Sequence, residues 1–522
     1  MKNRIKCAFS VILAALLLTA CAAKQDAESQ NDINSVDAGG YSSVPQTTSE
    51  AEKTDVPQTT DKPEASSAQT SASETEQSTA STSVSYVTTT KEPIEIVLPS
   101  DDPVETTKQT SVDTEPPQSS ATTEQTTAST TQQTTAKTER DEPVELPDVT
   151  QNTYTALNYD EVHGIWISYL DHISLMKENS EAQYRENIGK AFDNCVSLGI
   201  NTVYVHARSH GDAFYESELF PWSKNASGTL DVSPGYDPFE VLIEEAHERS
   251  LSVQAWINPL RMFRPRDVGY YKDYILYDWY EDKNGTYIVE VGSYYYLNPA
   301  YDETIKLVCD GASEIVANYD VDGLHIDDYF YPTTDASFDK KAFSESGYSS
   351  LADFRFANCD RMVEGLYDCV KNANPTALFS VSCQGSIENN YEKIYADVEK
   401  WCKEDGYIDY IVPQIYYGFD NSTQPYSKCL ARWDAFASAG GKPLVVGLSA
   451  YKIGTEDTWA GDGKREWITD SAIIARQLQE AMECSSYGGI SLYSYNSIFS
   501  ADSDVYEQVW AEMDEYKNII FS

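Results

Sequence analysis

Positive charge is scarce in this chain: 38 Lys and Arg stand against 83 Asp and Glu in 522 residues, a formal net charge of −45. So acidic a chain repels nucleic acid and anionic headgroups, and neither is expected as a partner. Histidine is nearly absent, with six in all, and no CxxC pair or Cys/His cluster has zinc spacing. Beyond Cys7 and Cys21, cysteines such as Cys195, Cys369 and Cys402 lie in periodic apolar segments, where they read as small buried hydrophobes. No metal or cofactor is expected. Long apolar runs are missing as well, and Phe9 to Leu18 is too short to cross a bilayer as a stable helix.

That short run has another reading. Lys2, Arg4 and Lys6 precede it and Leu18-Thr19-Ala20-Cys21 follows, the layout of an export signal. Small residues directly before a cysteine resemble the lipobox of bacterial lipoproteins. The resemblance implies cleavage ahead of Cys21, a lipidated Cys21, and a protein held at the outer face of the cell membrane by that anchor. Residues 1–21 are therefore expected to be the signal. Residues 22–150, in runs such as TTEQTTASTTQQTTAKTER, have too few apolar side chains to offset the entropy of ordering, so a disordered linker is expected there. It would hold the following domain away from the lipid.

Residues 151–522 change character. β-prone runs occur at GIWIS, NTVYVHAR, SVQAWINP, VDGLHIDD, ALFSVSCQG, YIDYIVPQIYY, KPLVVGLSAY and GGISLYSYN, with a helix-period segment after each. Eight strand–helix units in one α/β domain predict a closed (β/α)8 barrel rather than a doubly wound sheet. A Tyr-rich insertion at 278–299 reads as a β-hairpin with Asn284-Gly285 as its turn.

Strand alternation predicts what faces the barrel interior. Leu324 and Ile326 belong under the helices, so His325 and Asp327 point inward. The same parity sends inward Tyr204, His206 and Arg208, then Gln254, Trp256 and Asn258. It does so too for Ser380, Ser382 and Gln384, for Tyr410, Gln414 and Tyr416, and for Ser491, Tyr493 and Tyr495. A polar, aromatic interior suits a polyhydroxylated ligand better than a plain packed core does.

Asp327 and Asp328 end the fourth of these runs, at the C-terminal face where sites on such barrels are built. A lone Asp there usually caps a helix or pairs with Arg. Two in succession after an inward His point instead to paired-carboxylate chemistry. Neighbours on a strand face opposite ways, so both reach the cavity only if the chain bends after Asp327.

The segments GIWIS, NTVYVHARSHGDAFYESELFPWS, GYDPFEVLIEEAHERSLSVQAWINPLR, YDVDGLHIDDYFYP, DFRFANCDRMVEGLYDCVK, YIDYIVPQIYY and GGISLYSY, in this order, resemble the glycosyl-hydrolase-10-like family of exported bacterial proteins. The resemblance implies a TIM barrel with glycosidase activity on a polysaccharide, with peptidoglycan glycan strands the leading candidate. It marks Asp212, Asn258, Asp327, Asp328 and Gln414 as site residues. Laid on the DGxDxDxE strand of chitinase-like barrels, DGLHIDDY puts Tyr329 where the catalytic Glu would be. A fourth-strand Asp instead resembles the nucleophile of α-galactosidase-like barrels, so Asp327 is the expected nucleophile. Its partner is left open among Asp328, Asp212 and Asp420.

Arg208, Trp256, Asn258, Arg261, His325, Gln414, Tyr416 and Tyr493 are the expected substrate contacts. Arg208, Arg261 and Arg264 could meet a carboxylate such as the lactyl group of muramic acid, though ordinary ion pairs would use them equally well. Two other classes stay in view. A non-catalytic carbohydrate-binding lipoprotein would bind glycans without turnover. A metal-dependent polysaccharide deacetylase would need converging His ligands, for which His206, His210 and His325 are a thin set.

Overall fold

The computed structural model describes residues 143–176, 180–283 and 285–522. The expected signal, Cys21, most of the linker, and Asn284 lie outside them. Eight strands form one closed parallel ring: β1 (Val162–Ile167), β2 (Thr202–Arg208), β3 (Ser252–Ile257), β6 (Gly323–Ile326), β7 (Leu378–Val381), β8 (Tyr410–Ile411), β9 (Leu444–Ser449) and β10 (Tyr487–Tyr493). β10 closes on β1 with Val162 opposite Gly489. β4 (Ile288–Val291) and β5 (Tyr294–Leu297) make a separate antiparallel hairpin. The ring strands are followed in turn by helices α1 (Glu181–Ser197), α2 (Pro238–His247), α3 (Asp302–Asn318), α4 (Leu351–Ala373), α5 (Val398–Lys403), α6 (Tyr426–Gly440), α7 (Ile473–Ala481) and α8 (Tyr506–Ile520). The expected (β/α)8 barrel is what forms.

Local chemistry explains the boundaries. In GYDPF, Asp237 caps α2 by accepting from the Phe239 and Glu240 amides while Pro238 opens the helix without needing its missing N–H. Ser350 caps α4 through Asp353 N–H. β8 is only two residues long because Pro413 follows and has no amide to give the ladder. Gly323 starts β6 where a Cβ would lie 2.1 Å from Gln254 Oε1 and 2.5 Å from Leu378 O, so no larger residue fits.

Two apolar layers result. Val203, Val205, Leu324 and Ile326 pack outward under the helices. Val162, Trp166, Tyr204, Trp256, Tyr410, Val412 and Val445 fill the barrel. Alternation thus holds along most strands, with two failures. In β2 the register shifts between His206 and Arg208, so Arg208 stands opposite Ile257 and leaves the barrel. Its guanidinium lies 4.3 Å from the Phe220 ring centroid. In β10 the strand stops at Tyr493; Tyr495 opens a short helix, packs in the outer layer, and its hydroxyl accepts from Asn194 of α1.

The hairpin also differs from expectation. Residues 278–281 belong to a helix spanning Ile275–Glu281, and the turn is Gly292-Ser293, between paired Val291 and Tyr294, with Gly292 at φ +61. Glycine supplies the positive φ there.

Residues 143–150, placed in the linker by composition, include Val144, Leu146 and Val149, whose side chains pack on the outer core. The following residues are stapled to the closed end of the barrel. Asp322, fully buried ahead of β6, accepts from Tyr154 Oη (2.9 Å), His247 Nε2 (2.9 Å), Val253 N (2.7 Å) and Leu157 N. Asp322→Ala would leave several buried donors unpaired, each at about 1–3 kcal/mol. We expect a large fall in Tm by calorimetry and faster chymotryptic cleavage near Tyr154; unchanged Tm would show the staple to be dispensable.

Candidate active site

β6 ends at Ile326 and the chain bends at Asp328, whose carbonyl accepts from Phe330 N at 2.9 Å. After this bend both consecutive carboxylates face Arg261. Asp327 is 4% exposed and receives the Tyr329 amide at 3.4 Å. Asp328 Oδ1 accepts from Gln414 Nε2 at 3.3 Å. Burial, then the charge of Asp328, push the Asp327 carboxyl well above the ordinary carboxylate range, against the pull of Arg261. Burial also raises Asp328, opposed by the amides of Gln414 and Gln384.

Arg261 is the cation facing both acids. Its Nη2 and Nε donate to Ser209 O at 3.0 and 3.3 Å, and its guanidinium sits 4.2 Å over the Tyr329 ring. Burial works against its charge, but Tyr329, Tyr169 and Asp327 outweigh that and hold it protonated. Asn258 Nδ2 donates to the same Ser209 carbonyl at 2.9 Å. His206 lies on Trp256 with ring centroids 3.4 Å apart, takes the Tyr169 amide at Nδ1, and presents Nε2 to Asn258 Oδ1 at 3.4 Å.

Beneath the acids, His325 is wholly buried. Its Nε2 accepts from Trp166 Nε1 at 3.3 Å, so Nδ1 carries the proton and donates to Ser380 Oγ at 2.8 Å. It lies in the barrel interior, bonded to Trp166 and Ser380. Around the mouth stand Tyr169, Tyr294, Tyr329, Tyr416, Tyr451 and Tyr493, all part-buried. Tyr416 lies 5.7 Å from Tyr493 and 5.8 Å from Tyr451, centroid to centroid. The hairpin contributes Tyr294, whose hydroxyl accepts from Arg264 and whose ring stacks near His210 at 5.5 Å.

The structure thus gathers Trp256, Asn258, Arg261, His325, Gln414, Tyr416 and Tyr493 around Asp327 and Asp328. Three expected residues lie elsewhere. Arg208 is turned out by the β2 bulge. Asp212 is buried beside Ser223, Lys224 and Arg208. Asp420 is exposed on the loop after β8, grouped with Glu466 and Asp470. Trp166, Tyr169 and Tyr451 were missed. Trp166 shares the parity of Gly164 and Ser168 in GIWIS, so the alternation argument would have found it on the first strand; Tyr169 and Tyr451 follow strand ends, where parity gives no direction. The nitrogens of His206 and His325 are engaged as described, and those rings do not converge as metal ligands.

Residues 161–461 match the family described as glycosyl hydrolase-like 10. The chain belongs to that family. Among curated relatives, this glycosyl hydrolase-like 10 member is 30% identical over 317 residues to glycosyl hydrolase YngK of Bacillus subtilis, covering 56% of this chain and 61% of YngK. It is 29% identical over 341 residues to glycosyl hydrolase DigH of Escherichia coli K12, covering 58% of this chain and 75% of DigH. Among solved structures, the PgaB glycoside hydrolase domain of Bordetella bronchiseptica aligns with TM-score 0.45 and 12% identity over 67% of this chain and 98% of that domain. The endo-1,4-β-mannanase of Rhizomucor miehei aligns with TM-score 0.42 and 12% identity over 72% and 99%.

The acids make a stability prediction for this family member. Below about pH 4, the ordinary carboxyl pKa, Asp327 keeps its proton folded or unfolded and costs nothing. As pH rises toward its raised folded value, the unfolded chain ionises first and the folded state loses relative stability. Asp327→Asn should therefore raise Tm by about 2–4 °C at pH 7.5 and by much less at pH 4. An equal shift at both pH values would show that the charge of Asp327 is not strained by burial.

Proposed function

We propose that the protein is a glycoside hydrolase in which Asp327 and Asp328 act as a pair on one glycosidic bond. The observation carrying this is the bend at Asp328, after which both carboxylates face Arg261, Tyr329 and Tyr416. Burial raises both carboxyls, Asp327 further than Asp328, and their like charges favour sharing one proton. Asp327, raised furthest, keeps it and donates to the leaving oxygen. Asp328, supported by Gln414 and Gln384, takes the ionised role and bonds to the anomeric carbon as the glycosidic bond breaks; water then displaces it, giving its proton back to Asp327 and releasing the sugar. This exchanges the roles expected from sequence, where Asp327 was the nucleophile.

The proposed substrate is the glycan strand of peptidoglycan. The expected signal and lipidated Cys21 would keep the barrel at the outer face of the membrane, within reach of the wall. Arg264, at the mouth with Tyr294, offers a cation to the lactyl carboxylate of muramic acid. Membrane attachment is checked by fractionation: Cys21→Ala should move the protein to the soluble fraction, and continued detergent-sensitive membrane association would reject the anchor.

Hydrolysis is tested by mass spectrometry of purified strands incubated with the protein. Asp327→Asn should lose about two to four orders of magnitude on strands, the usual worth of a positioned acid. It should lose far less on a dinitrophenyl glycoside, whose leaving group departs without a proton. Asp328→Asn should fail on both substrates. Near-normal strand cleavage by either variant would remove that residue from the chemistry.

A further inference from the structure

Trp459 is 76% exposed, an unusual place for the largest apolar side chain, yet its backbone is firmly held. It lies on the loop from β9 to α7, which leaves the C-terminal end of the barrel where the acids sit. Asp457, buried two residues earlier, accepts the Trp459 amide at 3.3 Å through Oδ1 and the Ala460 amide at 3.0 Å through its carbonyl. Its Oδ2 takes Lys452 Nζ at 2.6 Å, and the same ammonium donates to Tyr416 O at 2.7 Å. On the far side, Ser422 N donates to Ala460 O at 3.0 Å and Asp457 N to Lys464 O at 2.9 Å. The loop is thereby tied to the strand end carrying Tyr416, one wall of the cavity.

Asp457 also faces Tyr451, whose phenol its charge helps to push up after burial does. One residue, Thr458, separates Asp457 from Trp459, so their Cα atoms are at most about 7 Å apart. The backbone carrying the indole is therefore on the loop that Asp457 ties to Tyr416 and Tyr451 of the rim. Its neighbours Thr455, Glu456, Thr458, Gly461 and Asp462 are exposed and mostly polar. A lone flat ring in such surroundings lacks the contiguous apolar area of a protein-docking patch. It suits a pyranose, whose C–H face stacks on the ring while its hydroxyls stay in water.

We propose that Trp459 is an outlying sugar-binding platform that holds a glycan chain extending from the cleavage site, and so makes the protein favour long chains over short ones. This rests on reading the barrel mouth as a glycan site. The experiment uses the full chain carrying Asp327→Asn to block turnover, with β-1,4-linked N-acetylglucosamine dimer and hexamer titrated calorimetrically. The hexamer should bind more tightly than the dimer. Adding Trp459→Ala should weaken hexamer binding about tenfold, consistent with losing one stacked ring, while Trp459→Phe keeps most of it. Hexamer affinity unchanged by Trp459→Ala overturns the platform, as does failure of both oligomers to bind. If the Trp459 effect appears while unsubstituted protein hydrolyses no glycan strand, the platform stands and the hydrolase reading fails.

Discussion

Two consecutive carboxylates, one buried and one half-buried, face the Arg261 guanidinium at the barrel mouth, and the architecture around the mouth follows from that. A buried like-charge pair is unstable alone, and Arg261 offsets it only while itself held in place. The Ser209 carbonyl does this holding and is fixed in turn by Asn258, which is braced by His206 on the face of Trp256. Residues from β2 and β3 and the segments that follow them thus converge on one carbonyl oxygen. From the other side Gln414 reaches both Asp328 and the Ser382 carbonyl, at 3.3 Å each.

The loop that follows needs its own anchor, because a bend at Asp328 gives up the ladder bonds that would otherwise hold it. Arg355 on α4 supplies one. It pairs with Asp339 at 2.8 Å, both side chains fully buried, and donates further to the carbonyls of Thr333 and Asp335 and to the Tyr395 hydroxyl. A buried ion pair earns little net stability, but here its hydrogen bonds fix three points of one loop. β6 is therefore constrained at both ends, by Asp322 where it begins and by Arg355 after it stops. The acids sit where the first constraint ends and the second has not yet begun.

Much of this was legible in sequence because a strand buried on both faces still alternates. Tyr204, Trp256 and Tyr410 were assigned inward by parity alone, and all three lie in the barrel. Parity carries direction only while the register holds. A bulge at β2 reversed Arg208, and the end of β10 before Tyr495 sent that ring under α1. Neither event has a sequence signal stronger than the alternation it breaks. Asp212 and Asp420 lie apart from the acid pair for a related reason: both follow strand ends, so motif and topology put them at the C-terminal face without saying which way they turn. The Gly292-Ser293 turn had a local signal, flanked by IVEV and YYYL, but the stronger turn dipeptide Asn284-Gly285 masked it.

The histidines refine what the cavity can do. Burial drives His325 down to about 3, and burial with the nearby Arg261 charge holds His206 well below its ordinary value. Both rings are neutral across the physiological range, and their hydrogen bonds require neutral tautomers, since each accepts an N–H at one nitrogen. A protonated imidazole in either place would lose that acceptor and add a second cation beside Arg261, drawing both acids toward ionisation. Neutral histidines leave the proton count of the cavity to the carboxylates. A polar interior that looks wasteful for packing thus has an electrostatic use: it fills the barrel with hydrogen-bonding rings that carry no charge, so that the charge balance at the mouth is set by Asp327, Asp328 and Arg261.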